Sequence, residues 1–181
     1  MRTHYFSVLA LGLALTVPSA VGADAGPLEV VEEYLSLDFE GARLSSESWP
    51  TIVEFITWEV EPGWDTVIVV EGFRVHEPTL NAATALVPVS YDVAGIWSGD
   101  RFYLPDEVPP SVTELSRKAR GTEFRLQLVE NTWRIVHPRS HPHVSVQSLI
   151  DHLKKLAPET RSAEFQSSFQ RLVDASAAPI E

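Results

Sequence analysis

Glu71, Tyr91 and His137 have the side chains and the strand positions that acid–base chemistry needs. Glu71 shares its parity with Val67, Val69, Phe73 and Val75, so straight alternation sets a carboxylate among apolar side chains. A carboxyl group in such surroundings holds its proton more tightly, and such groups are enriched at functional sites. Gly72 beside it is also a bulge signal, and a bulge would swing Glu71 to solvent. Tyr91 lies among Val87, Val89 and Val93, while His137 shares a parity with Trp133 and Ile135. If these faces line one concavity, Glu71, Tyr91, Trp133 and His137 make a ligand-binding set. Glu71, Tyr91 and His137 are then the candidates for acid, base and hydrogen-bond donor. The blander alternative leaves the Tyr91 hydroxyl at the rim and lets His137 end a strand before Pro138.

A second constellation is His137-Pro138-Arg139-Ser140-His141-Pro142-His143, with three imidazoles in one short run. Imidazole suits zinc, copper or nickel, which makes His137, His141 and His143 candidate metal ligands. Two prolines force extended backbone there and splay the rings, so a polar loop without metal is the favoured reading. There is no G-x-S-x-G elbow, phosphate loop or H-E-x-x-H, and no cysteine to act as nucleophile. No cofactor is expected. Arg117-Lys118-Ala119-Arg120, the one dense basic cluster, reads as a charge complement to a helix C-terminus. Nothing orders Trp49, Trp58, Trp64, Trp97 and Trp133 on one face, so they read as packing residues.

The elements that must position these residues are led by Gly121–Pro138. Phe124, Leu126 and Leu128 alternate with Glu123, Arg125 and Gln127, Glu130-Asn131-Thr132 supplies turn chemistry, and Trp133 and Ile135 resume the alternation. This predicts an antiparallel hairpin. Upstream, the spacing predicts a helix over Leu28–Glu40, punctuated by Gly41, and a short one from Pro50 to about Phe55. Thr66–His76 reads as a strand apolar on both faces, which calls for cover on both. Ala82–Trp97 reads as a long strand in which Pro88 points to an edge position or a bulge. Arg101–Leu104 makes a short strand, and Ser111 with Glu114 a capping box. Ser145 caps a helix with the stripe Val146, Leu149, Ile150, Leu153 and Leu156, stopped by Pro158. Phe165, Phe169 and Leu172 continue at helical spacing in a serine-rich tail expected to dock weakly or fray. Cover for the second face of Thr66–His76 is expected from this C-terminal part or from a second copy of the chain.

The chain has 181 residues and a formal charge of −11. Arg2 and His4 precede the apolar run Phe6–Val17, and Val21-Gly22-Ala23 has the small-x-small pattern of a signal-peptidase site. The run is shorter than the ~20 residues that span a bilayer. Residues 1–23 are therefore expected to be a signal peptide, 24–158 one domain, and 159–181 a helical or flexible tail. Without Arg2 the charge is −12. An acidic exported protein repels phosphate backbones and anionic lipid, which excludes nucleic acid and membrane surfaces as expected partners. With no cysteine, stability rests on packing, for which five Trp and eight Phe are available. The expected location is a bacterial periplasm or the extracellular space.

Val30-Val31-Glu32-Glu33-Tyr34-Leu35 in the first helix and Leu126-Gln127-Leu128-Val129-Glu130-Asn131-Thr132-Trp133-Arg134-Ile135 in the hairpin carry a resemblance to the NTF2-like (SnoaL-like, cystatin-like) superfamily. The resemblance covers about Leu28–His137. It implies an α+β domain with N-terminal helices packed on a strongly curved antiparallel sheet, the cone of that superfamily. The helix Ser145–Leu156 and the tail depart from it, since many members stop near the last strand. Members include enzymes, binding proteins and interaction modules, so the fold does not select a function. The expectation is a non-catalytic domain that binds a small apolar ligand or a protein partner. The alternatives are a small-molecule lyase, isomerase or hydrolase with its site in the concavity, and a metal-binding module on the histidine loop.

Overall fold

A computed structural model describes residues 25–61, 63–110, 120–156 and 160–176. The expected signal segment, the Ser111–Glu114 capping box, Arg117-Lys118-Ala119 and Pro158 lie outside the described residues. Helix α1 is Pro27–Phe39, with proline in its first turn and Glu29 accepting from the Gly26 N–H. Gly41 follows in the left-handed region (φ 88°), then a single 3-10 turn, Ala42–Leu44, and helix α2, Trp49–Val53. Strands β1 (Thr66–Val75), β2 (Thr79–Asn81), β3 (Thr84–Ser98), β4 (Arg101–Tyr103), β5 (Gly121–Val129), β6 (Thr132–His137) and β7 (His143–Ser145) come next. Helices α3 (Val146–Lys155) and α4 (Ala163–Ser176) close the chain.

The strands form one curled sheet in the order β6-β5-β3-β1-β7, with β2 and β4 paired on β3. Its pairs are antiparallel except β1 with β7. The fold is α+β: a strongly curled sheet with helices from both ends of the chain. The β5–β6 hairpin turns through Glu130 (φ 49°) and Asn131 (φ 66°), the two positive φ angles of a turn that matches strand twist. Phe124, Leu126 and Ile135 are buried as the alternation requires, while Leu128 beside the turn is exposed. The outer edge of β6 is not bare: Thr57 N–H donates to the Ile135 carbonyl and Ile135 N–H to the Phe55 carbonyl.

Bulges decide which face each strand residue takes. Val70 lies opposite Val93 and Gly72 opposite Asp92, so Glu71 is an extra residue on β1, and Ala94 is one on β3. Parity therefore reverses along β1. Val67 and Val69 face one layer, whereas Ile68, Val70, Phe73 and Val75 face the other. The first layer is α1, with Val30, Val31, Tyr34 and Leu35 against Val87, Val89, Phe124, Leu126 and Ile135. The second is α3 and α4, whose Leu149, Ile150, Leu153, Phe165 and Leu172 bury Val67, Val69, Trp97 and Phe102. The two-faced apolar strand is thus covered by the chain's own C-terminal helices. The tail, expected to dock weakly or fray, is helical and packed over Ala163–Ser176, with the Phe165 ring edge-on to Trp97 at 5.2 Å.

Pro88 lies at neither the edge nor the bulge expected for it, since β3 is central, its bulge is at Ala94, and Pro88 pairs regularly with Glu123. Its carbonyl accepts from His76 N–H at 2.9 Å, just past the end of β1. A strand residue's N–H and C=O point to the same neighbour, so the missing donor falls where the β1 ladder stops. Gly95, beside the β3 bulge, lies directly under β4. A Cβ there would stand 2.6 Å from the Phe102 ring and 2.6 Å from the Tyr103 carbonyl oxygen. Gly95→Ala is expected to cost about 1–3 kcal/mol, because the clash includes backbone that cannot step aside. Urea unfolding followed by tryptophan fluorescence reads the loss, and an unchanged midpoint would contradict the close approach of β4.

Candidate functional site

Of the residues with expected chemistry, Tyr91 and His143 meet and the others do not. Glu71 is the bulge residue and is exposed, because the extra residue breaks the alternation that would have buried it. His137 is turned outward by a similar irregularity. Leu126 pairs with Ile135 but Arg125 pairs with His137, so Val136 is skipped and His137 takes the solvent side with Arg125. Trp133 is half-buried against the α1 core. Tyr91 alone of Glu71, Tyr91 and His137 is buried, and its ring stacks on His143 at 4.1 Å. His141 packs on Trp64 at 4.5 Å. The three imidazoles of the histidine loop therefore occupy separate environments: solvent, an indole face and the core. Among the described residues no cluster of three or more His, Asp or Glu could hold a metal ion.

A buried polar network lies beneath the C-terminal end of α1. Tyr34 and Asp38 lie four residues apart on the inner face of α1, and both are buried. Gly41 reverses the chain there, which brings Arg43 back under the helix end. Arg43 Nη1 donates to the Tyr34 hydroxyl at 3.1 Å and to Asp38 Oδ2 at 3.4 Å. Its Nε and Nη2 donate to Glu61 Oε1 at 3.1 and 2.6 Å, and Nη2 also to the Ser140 carbonyl at 2.7 Å. The guanidinium has five N–H groups, and all are engaged. Asp38 Oδ2 also accepts from the backbone N–H of His143 at 3.0 Å. One side chain thus ties α1, the connector before β1 and the connector before β7 together.

Burial sets the protonation of this network. Asp38 is pushed up to about 6 by burial, against the pull of Arg43 and the His143 N–H. Arg43 stands 3.4 Å from Asp38 and 2.6 Å from Glu61, so its pull on Asp38 does not cancel the cost of burial. Burial pushes His143 down to about 3, with Arg43 adding to the effect, and it raises the Tyr34 and Tyr91 hydroxyls. Burial works against the Arg43 charge, but Asp38, Tyr34 and Glu61 raise its pKa overall.

The folded state binds the Asp38 proton more tightly than the unfolded chain does. Its contribution is therefore fully present below about 4 and lost as the pH rises through about 6. His143 acts oppositely, contributing fully above about 6.5 and losing that contribution as the pH falls toward 3. The two slopes offset each other between these limits in the wild type. Asp38→Asn removes the first, so the variant is expected to gain about 3 kcal/mol on the wild type between pH 4 and pH 8. Urea unfolding at the two pH values measures the gain, and a stability difference equal at both would mean that Asp38 folds ionised.

Next to this network lies an open hollow of about 700 Å³, between the connector before β1, the β3–β4 turn and α3. Trp49, Trp64, Trp97, Val67, Leu149 and Leu153 give it carbon walls, and Arg43 and Glu61 form part of its polar lining. The indole N–H groups are used within the wall: Trp49 donates to the Glu59 carbonyl, Trp97 to the Gly99 carbonyl, and Trp64 to Glu61 Oε1. Glu61 Oε2 is buried and has no partner among the described residues. Glu71, Tyr91, Trp133 and His137 do not line this hollow.

Sequence reasoning missed Arg43 and Glu61, because Arg43 and its Ser140 partner stand 97 positions apart and no local pattern joins them. The one available signal was Asp38, a carboxylate on the apolar stripe of α1. Among the described residues no helix is long and apolar enough to cross a membrane. Comparison with protein-family models, with curated proteins and with solved structures finds no match to this chain.

Proposed function

We propose that this protein is an exported, non-catalytic domain of NTF2-like architecture that binds a small apolar ligand in the hollow beside Arg43. The observation that carries this reading is the hollow itself. Its volume of about 700 Å³ falls within the range of small-molecule sites, and indole and aliphatic carbon make up most of its walls. A walled recess of this size suits a small molecule better than a protein surface. The concave face of the sheet, where the sequence pointed, is occupied by α1 side chains that are at most 1% exposed. The buried network beside the hollow favours binding over catalysis, because Asp38 and Tyr34 are each 1% exposed and every Arg43 donor is engaged. Export rests on the Phe6–Val17 run and the Val21-Gly22-Ala23 pattern.

Titration with N-phenyl-1-naphthylamine, a neutral apolar fluorophore, tests the reading. Saturable one-site binding is expected, weakened about tenfold by Trp49→Ala, which removes a wall, and by Leu156→Arg, which sets a charged chain at the margin. Circular dichroism checks that both variants remain folded. Binding that neither variant changes would place the ligand elsewhere and overturn the proposal.

A further inference from the structure

The lining of the hollow is strongly one-sided in charge. Glu59, Glu61, Asp65 and Asp100 contribute four carboxylates, and Arg43 is the one cationic side chain among the described lining residues. Arg43 has no N–H left for a ligand, since its five donors go to Tyr34, Asp38, Glu61 and the Ser140 carbonyl. His152, also in the lining, is held below its usual pKa by burial and then by Lys155, so it adds no charge at neutral pH. Glu61 is paired with Arg43, so an anionic ligand would meet the like charges of Glu59, Asp65 and Asp100 and no free donor of opposite charge.

The same wall carries Trp49, Trp64 and Trp97, whose N–H groups are committed to protein oxygens. What the wall can offer is π surface and carbon, chiefly from Trp49, since Trp97 is buried and the Trp64 ring already meets the Arg43 guanidinium at 5.8 Å and His141 at 4.5 Å. That surface attracts a cation electrostatically while burying its alkyl groups. Glu61 Oε2 is buried and unpartnered among the described residues, so the polar part of this wall holds more acceptors than donors. The carboxylates do not gather into a metal-holding group among the described residues. Dispersed negative charge on aromatic walls suits a bulky cation that needs no coordinating lone pairs.

From this combination of an indole wall, a surplus of carboxylates over cationic groups and a saturated arginine, we infer that the ligand of the hollow is a small organic ammonium cation with an apolar body. The inference rests on the hollow being the binding site, and it names the ligand's charge.

The test compares three probes of similar shape by quenching of tryptophan fluorescence: benzyltrimethylammonium, the neutral benzyl tert-butyl ether, and the anion benzylsulfonate. The cation is expected to bind at least tenfold more tightly than the ether, with the sulfonate weakest. The double variant Asp65→Asn/Asp100→Asn, checked by circular dichroism, is expected to narrow the ratio of cation to ether at least threefold. Raising the salt concentration should narrow it as well. If the ether binds as tightly as the cation, the charge inference falls and the apolar site stands. If none of the three binds at millimolar concentration, the site itself falls.

Discussion

Arg43→Met is expected to destabilise the fold by about 3–5 kcal/mol, the cost of leaving buried charge without its partner. The guanidinium meets Asp38 and Glu61, whose side chains in these pairs are 2% and 16% exposed. It also satisfies the Ser140 carbonyl and the Tyr34 hydroxyl. Methionine fills a similar volume and returns none of these five hydrogen bonds. Most of the cost is the uncompensated carboxylate charge, so the triple variant Arg43→Met/Asp38→Asn/Glu61→Gln is expected to recover more than half of it. Urea midpoints for the single and triple variants measure both effects. A single variant within about 1 kcal/mol of the wild type would mean that the network is hydrated and contributes little.

Ending the chain after Pro158 is expected to cost at least as much. Helix α4 buries Phe165 and Leu172 against Trp97, Phe102 and the outer face of β1. Truncating residues of this size singly costs about 2–5 kcal/mol each, and whole domains have only about 5–15 kcal/mol to lose. The shortened chain would also expose Trp97 and Phe102 as one apolar patch, which favours self-association. Light scattering should show the full chain smaller than the truncated one, and thermal melting should show the truncated chain less stable. Two monomers with equal melting temperatures would contradict the cover assigned to α4. Phe165→Ala gives a milder version of the same loss in the intact chain.

Both effects come from long-range packing, which local sequence patterns do not encode. Helices α1 and α3, the β5–β6 hairpin and the long strand β3 were legible because each follows a local rule. These are the 3.6 spacing of Val31, Tyr34 and Leu35, the Ser145 cap, and the alternation of Phe124, Leu126, Trp133 and Ile135. The need to cover β1 on both faces was legible as well, because Val67 through Val70 are apolar at every position.

The candidate site was hardly legible at all. Glu71 and His137 were placed by counting in twos, and one inserted residue in each strand pairing undid the count. A bulge is a property of two strands in register, so its position depends on the partner as much as on the strand. Gly72 carried a hint of the first, and nothing beside Val136 announced the second. Asp38 with Arg43, Glu61, and Ser140 come from three separate stretches of chain, and the closing of β7 beside β1 brings Ser140 to the other two.

By itself, then, the amino-acid order determined the kinds of elements, the α+β class and the demand for two covering layers. Hydrophobic period, capping and turn preference act within a few residues and can be read there. The tertiary structure decided which side of the sheet each candidate took, that a saturated arginine sits at the polar centre, and that the open volume lies beside α3 rather than under α1. Those outcomes depend on contacts between residues far apart in the chain. No window of local sequence contains both partners.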